Sequence, residues 1–155
     1  MPIWYLLEYK MTQQNFQYIA QEDEMACGLA ALAMVIAHYG IFPALSRLRQ
    51  LTQTSALGTT AYGLLSAAQT LHFDTLALQA DQTLLTQPDL LLPFIAHVRQ
   101  PTGDYHYVVV YRRVGQDLFI ADPDPAVGKI KLSLPVFDRM WTGVALFITP
   151  PSVNI

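Results

Sequence analysis

Apolar residues along this chain follow two different periods. Between residues 20 and 72 they recur at helical spacing or run on among small residues, and from residue 73 they alternate or come in short blocks. "MACGLAALAMVIAHYG" (residues 25–40) favours helix by side-chain propensity and stops at Gly40. Glu22, Asp23 and Glu24 precede it, where acidic side chains suit the positive end of a helix. "PALSRLRQLTQ" predicts a second helix, with Pro43 suited to its first turn. "TTAYGLLSAAQTLH" predicts a third, with Thr59 or Thr60 as N-cap.

The later blocks "FDTLALQ", "LLLPFIAHVR", "YHYVVVYRR", "DLFIAD", "GKIKLSL" and "GVALFIT" read as strands. Turn signals separate them: "QPD", "QPTGD", "RVGQD", "DPDPAVG" and "WTG". One short helix, "SLPVFDRMW", begins at Ser133. Helices first and an antiparallel sheet afterwards predict an α+β fold.

Composition narrows the function. With 155 residues, 52% of them hydrophobic and 14% charged, the chain predicts one ordered domain, residues 1–155. The apolar surplus predicts an exposed apolar surface that meets a partner. A net charge of −3 with 9 basic residues gives no field for nucleic acid. One cysteine cannot form an internal disulfide, which suits a reducing compartment. "MPIWYLLEYK" lacks the basic start of a signal peptide, and the apolar run Gly28 to Ala37 is too short to span a bilayer, so a soluble cytosolic domain is expected. Phosphate-loop, CxxC and HExxH motifs are absent.

The chemistry centres on Cys27. A lone free cysteine usually packs as a small hydrophobe, but three local features point elsewhere. Cys27 opens a predicted helix, where unpaired N–H groups and the dipole stabilise a thiolate. Gly28 follows it, leaving room for a substrate backbone, and Gln21 supplies an amide donor six residues upstream. A thiolate nucleophile needs a base and a group that orients the base. His38 lies about 16 Å further along the helix axis, too far to bond Cys27. His72 reads as a C-terminal cap and His97 as a structural strand residue. His106 opens "HYVVVY" directly after a loop, which suits a residue facing a cleft. Asp122 closes the next strand and is placed to accept the imidazole Nδ1–H. The run "DPDP" also forms an ordinary turn, so Asp122 has a purely structural reading beside this one.

The blocks "QEDEMACGLAALAMVIAHYG", "HYVVVY", "IADPDPAVGKIKLS" and the C-terminal "GVALFITP", in this order, resemble the cysteine peptidase domain found at the N-terminus of peptidase-containing ATP-binding cassette transporters. The resemblance covers about residues 18–150. That family processes and exports bacteriocins and peptide pheromones with double-glycine leaders. The resemblance implies a papain-like fold, with Cys27 as nucleophile, His106 as general base and acid, Asp122 as orienter and Gln21 as oxyanion donor. It implies no metal and no organic cofactor in this domain, ATP being used by the transporter's ATPase domain. It implies as partners the transmembrane and ATPase domains, whose motifs this chain lacks, and a position at the cytoplasmic face of the membrane. Ala26 departs from the family, where Asp commonly precedes the cysteine.

The resemblance also implies that the leader binds as an amphipathic helix through its apolar face. Leu48, Leu51, Tyr62, Leu65 and Ala68 are candidate groove residues, although a leucine stripe at helical spacing is usually core. Tyr105 and Tyr107, which flank His106, are candidates for the sheet-side wall, or ordinary packing. Two other functions stay open: an inactive peptidase-like domain that only docks the precursor, and another papain-like amidohydrolase or acyltransferase.

Overall fold

The structure, a computed structural model, describes residues 16–151. Three helices come first: α1 (Cys27–His38), α2 (Leu45–Thr52) and α3 (Ala61–Thr70). Then follow β1 (Asp74–Gln79), the one-turn α4 (Gln82–Leu85), β2 (Phe94–Arg99), β3 (Tyr105–Val114), β4 (Asp117–Asp122), β5 (Gly128–Ser133), α5 (Leu134–Met140) and β6 (Trp141–Thr149). The strands form one antiparallel sheet in the order β1-β6-β2-β3-β4-β5, so β3 is central. The expected α+β architecture is what the chain adopts. Among the described residues no helix is long and apolar enough to cross a membrane.

Two apolar layers cover the sheet. On one face Leu29, Leu32 and Ile36 of α1, with Leu48 of α2 and Leu64 of α3, pack on Ile95, Val109 and Ile148. On the other, Phe94, Val108, Val110 and Ile120 pack on Leu85, Leu134 and Phe137. Strand residues alternate between faces, so Tyr107, Val109 and Tyr111 serve the first layer and Val108 and Val110 the second. A strand buried on both faces reads as the continuous apolar run "YVVVY". Helix α1 is buried from Gly28 to Ala37 because the sheet, α2 and α3 all touch it, which explains why its sequence shows no polar stripe.

Several local expectations are corrected. Pro43 precedes the N-cap Ala44 of α2 and lies outside the helix. The acidic triplet does not cap α1: Asp23 accepts the N–H of Met25 at 2.9 Å and pairs with Arg49 of α2 at 3.0 Å. The run "LLLP" lies outside β2, which starts at Phe94. Residues 141–143, expected as a turn, begin β6. Gly143 sits there at φ +93, and a Cβ would meet the carbonyl of Ala80 at 2.6 Å, so this glycine marks close backbone approach rather than reversal. Thr60 caps α3 as expected, accepting the N–H of Gly63 at 3.0 Å.

Candidate active site

Cys27 is the first residue of α1, and Ala26, buried at its N-cap, offers no side chain to the free N–H groups. The thiol takes that place. Burial pushes the Cys27 thiol up, but a hydrogen bond with His106, the backbone N–H of Tyr107, the imidazolium charge and the N–H of Gly28 outweigh it and hold the thiol below its ordinary value. Two strands converge on this helix end. β3 brings both His106 and the Tyr107 amide, and β4 brings Asp122.

The β3–β4 register pairs Val109 with Ala121. Extended by one residue, it sets Asp122 diagonal to His106 on the same face, within reach of a long side chain. Nε2 of His106 stands 2.6 Å from Oδ1 of Asp122, and both residues are buried, at 7% and 6% exposure. The carboxylate therefore meets Nε2 and not the expected Nδ1. With Nε2 taken by the carboxylate, Nδ1 is left for the thiol. Burial pulls His106 down, but bonds to Asp122 and Cys27 and their two charges raise it to about 9. Asp122 Oδ1 also accepts the N–H of Asp124 at 2.9 Å, so "DPDP" is a turn and the carboxylate faces the imidazole as well.

The segment before α1 is laced to the same corner. Tyr18 donates its hydroxyl to the carbonyl of Asp122 at 2.7 Å, and the Gln21 N–H donates to the carbonyl of Pro123 at 2.9 Å. Gln21 thus lines the cleft beside Cys27. Its Oε1 is buried with no partner among the described residues.

The cleft holding Cys27, His106 and Gln21 encloses about 620 Å³. Its walls are Met25, Leu57 and Thr59 on the helix side and His97, Tyr105 and Tyr107 on the sheet side. A more apolar hollow of about 440 Å³ runs along β1 and β6 past Leu76, Leu90 and Phe147, and holds no nucleophile.

Other sequence assignments divide. Tyr105 and Tyr107 do line the cleft, Tyr105 exposed and Tyr107 largely buried. Leu48 and Ala68 do not line any groove: both are fully buried, at 0% exposure, because α2 and α3 turn these positions onto α1 and the sheet. Leu51 and Leu65 are partly buried against the same core, and only Tyr62, at 77% exposure, stands free. Gly28 is also corrected. A Cβ there would meet Thr59 Cβ and the Tyr107 ring at 3.2 Å each, so the space beside Cys27 is filled by protein and not left for substrate.

His38 is at the far end of α1 against Phe16 and Tyr39, and His72 ends α3 at φ +70, both away from the cleft. His97 and Leu57 are cleft residues that sequence reasoning missed. The signal for His97 was present: the loop "QPTGD" pairs Arg99 with Tyr105, which sets His97 opposite Tyr107. Leu57, 97% exposed at the tip of a Ser55–Gly58 turn, had none.

Residues 15–153 match the peptidase C39 family. This chain belongs to that family. It is therefore a cysteine peptidase domain, with a thiol, an imidazole and a carboxylate gathered as that chemistry requires. The mesentericin-Y105 transport/processing ATP-binding protein of Leuconostoc mesenteroides is 46% identical over 145 residues, 94% of this chain and 20% of that protein. The chain thus spans about one fifth of the length of this curated relative. The crystal structure of the peptidase domain of Streptococcus ComA, a bifunctional ABC transporter of a quorum-sensing pathway, matches with TM-score 0.84 and 41% identity, covering 88% of this chain and 100% of that one. A double-glycine motif protease from an AMS/PCAT transporter, solved with its leader peptide, matches with TM-score 0.76 and 28% identity over 87% of this chain and 91% of that one.

Proposed function

We propose that this C39 peptidase cleaves a bacteriocin or pheromone precursor after a Gly-Gly pair, releasing the leader. The observation that carries this reading is the Cys27–His106–Asp122 cluster, in a fold shared with a double-glycine protease bound to its leader. Cys27 Sγ, as thiolate, attacks the carbonyl carbon of the second glycine. The oxyanion is held by the Gln21 side-chain amide and a backbone N–H at the start of α1. His106 passes its proton to the leaving amine, the C–N bond breaks and a thioester remains. Water, giving a proton to His106, then hydrolyses the thioester and frees the leader acid. Asp122 fixes the ring and stabilises its charged form. In this reading the chain's own residues supply nucleophile, acid–base and oxyanion donor, with no metal or organic cofactor. ATP is used by an ATPase domain, which joins a transmembrane domain as partner, and the peptidase works at the cytoplasmic face of the membrane. The named relatives, transport/processing ATP-binding proteins, support that assembly. No nucleic acid takes part.

The test is mass spectrometry of a synthetic precursor incubated with the domain. The expected product is the leader ending in Gly-Gly, absent with Cys27→Ala and with an Ala-Ala precursor. Turnover by Cys27→Ala would discard the mechanism. An uncut precursor beside a cut cell-wall peptide would move the enzyme to another papain-like chemistry. The intact thiol–imidazole pair speaks against a docking-only domain.

A further inference from the structure

His97 plays no part in the mechanism above, yet it stands in the catalytic cleft. It shares a sheet face with Tyr107, its cross-strand partner, and with Tyr105, so its ring lies on the side of the sheet that meets α1. Three contacts fix it. The Tyr105 ring stacks on it with centroids 5.0 Å apart and planes 20° from parallel. The Tyr107 ring packs against it at 5.2 Å. Its Nδ1 lies 3.0 Å from the hydroxyl oxygen of Thr142 on β6.

The Thr142 hydroxyl settles which nitrogen of His97 carries the proton. Pairing of β2 with β6 breaks between Ala96 and Val98, and at that gap Thr142 Oγ1 donates to the backbone carbonyl of His97 at 3.0 Å. A hydroxyl has one proton to give. That proton is committed to the carbonyl, so Oγ1 can only accept from the imidazole, and His97 must be the Nδ1–H tautomer. Nε2 is then an acceptor. The only bond His97's ring makes among the described residues is the one through Nδ1, so Nε2 is left to the cleft. Burial pulls the ring below its ordinary value, which favours the neutral form.

A Gly-Gly pair offers an enzyme no side chains at the bond to be cut. At that bond only main-chain N–H and C=O groups remain to be held, and they need rigid partners. The carboxylates of Glu24, Asp104 and Asp124 also line this cleft, but the first two are exposed and Oδ1 of Asp124 already accepts the N–H of Ala126 at 2.9 Å. His97 is clamped by two rings and a hydroxyl, so its acceptor has a fixed direction. We propose that Nε2 of His97 accepts a main-chain N–H of the peptide substrate beside the glycine pair and sets that segment in register with Cys27. The inference rests on the Gly-Gly reading and extends it to the group that holds the substrate's backbone.

The test is a double-mutant cycle between enzyme and substrate. Each peptide bond near the glycine pair, except the scissile one, is replaced in turn by an ester, which removes one N–H. With wild-type enzyme, one position is expected to lose about two- to twelve-fold in kcat/KM, as for a single hydrogen bond. With His97→Phe, which keeps the stacking but has no acceptor, the same ester is expected to cost nothing further. An ester penalty that persists undiminished at every position in His97→Phe would overturn the proposal. In case that variant folds poorly, Cys27→Ala retains the native imidazole, and binding of uncut precursor to it is expected to shift the ¹⁵N resonance of His97 Nε2 as this acceptor takes a peptide N–H in place of solvent. An unmoved resonance in the saturated complex would equally overturn it. Failure of wild-type enzyme to cut the all-amide peptide would bring down the Gly-Gly reading and this one with it. Normal cutting with penalties independent of His97 would remove this one alone.

Discussion

Nε2 of His106 and Oδ1 of Asp122 stand 2.6 Å apart, both buried at the end of the sheet, and the carboxylate is thus fixed to the nitrogen that faces away from the thiol. The charge of Asp122 raises His106, while its oxygen orients the ring. Asp122→Asn keeps an oxygen that can accept Nε2–H and removes the charge. The imidazolium is then less stabilised, so the His106 pKa falls and the alkaline limb of the rate profile moves to lower pH. We expect kcat to drop by roughly 10²–10⁴ as the acid–base group is detuned. Full pH profiles of kcat/KM for the two enzymes check this, and superimposable profiles would reduce Asp122 to a turn residue.

The thiol and imidazole define a pH window between them. Cys27 is held below its ordinary value and His106 is raised to about 9. Below the thiol's pKa the nucleophile is protonated, and above about 9 the imidazolium has lost the proton it must give the leaving amine. The profile should therefore be bell-shaped, rising through the lowered thiol pKa and falling through about 9. Folding follows the same sign: stability from the charged ring is complete below 6.5 and is lost as pH rises through about 9. Cys27→Ala removes two of the groups' mutual contributions, so NMR titration should find His106 below the wild-type value. An unchanged value would mean that the two side chains do not face each other.

Gln21 is braced to Pro123 through its backbone, and its side chain is left without a partner at Oε1. A donor that acts on the oxyanion alone contributes to kcat and hardly to KM. Gln21→Ala should lower kcat by about 10²–10³ with KM little changed. Melting temperature should change little, because the backbone bond from Gln21 N–H to Pro123 does not need the side chain. A rise in KM at constant kcat would reassign Gln21 to substrate binding.

Gly28 lies between Thr59, Leu64 and the Tyr107 ring. Gly28→Ala forces a methyl against two neighbours at 3.2 Å, and overpacking of this kind costs about 1–3 kcal/mol. The same displacement moves the Tyr107 backbone N–H away from the sulfur, so the thiol pKa should rise. Melting temperature should fall by a few degrees, and the pH dependence of iodoacetamide alkylation should shift upward. A stable variant with an unshifted alkylation profile would mean that β3 does not need this close approach.

Much of this could be read in the residues, and what could not has physical causes. β4 was legible to the residue because "DLFIAD" is bounded by Gly-Gln and Asp-Pro turn signals. Cys27, His106 and Asp122 were legible as candidates because each sits where a helix or strand begins or ends. Which imidazole nitrogen meets Asp122 depends on side-chain rotation, which no spacing encodes. Gly28 announced an absent side chain, but only packing says that Tyr107 and Thr59 fill the space. The "WTG" turn was misread because Gly143 serves a close crossing with Ala80, and a glycine signals either. His97 looked structural because only hairpin register, not its own neighbours in sequence, carries it into the cleft.

The helical stripe of Leu48, Leu51, Tyr62, Leu65 and Ala68 illustrates the same limit and yields a direct test. An apolar face on an amphipathic helix must be covered, but the sequence does not say whether core or ligand covers it. Here Leu48 is fully buried beneath α1 while Tyr62 projects into solvent. Leu48→Ala should leave a cavity and cost about 2–5 kcal/mol, a fall in melting temperature on the order of 10 °C. Tyr62→Ala should change stability by no more than about 0.5 kcal/mol, as an exposed substitution does. If Tyr62 contacts a leader helix, the same variant should raise KM for a full-length precursor and leave cleavage of a short peptide around the glycine pair unaffected. Differential scanning fluorimetry with kinetics on long and short peptides separates the two roles. A stable Leu48→Ala with raised KM would return Leu48 to the leader groove and remove it from the core.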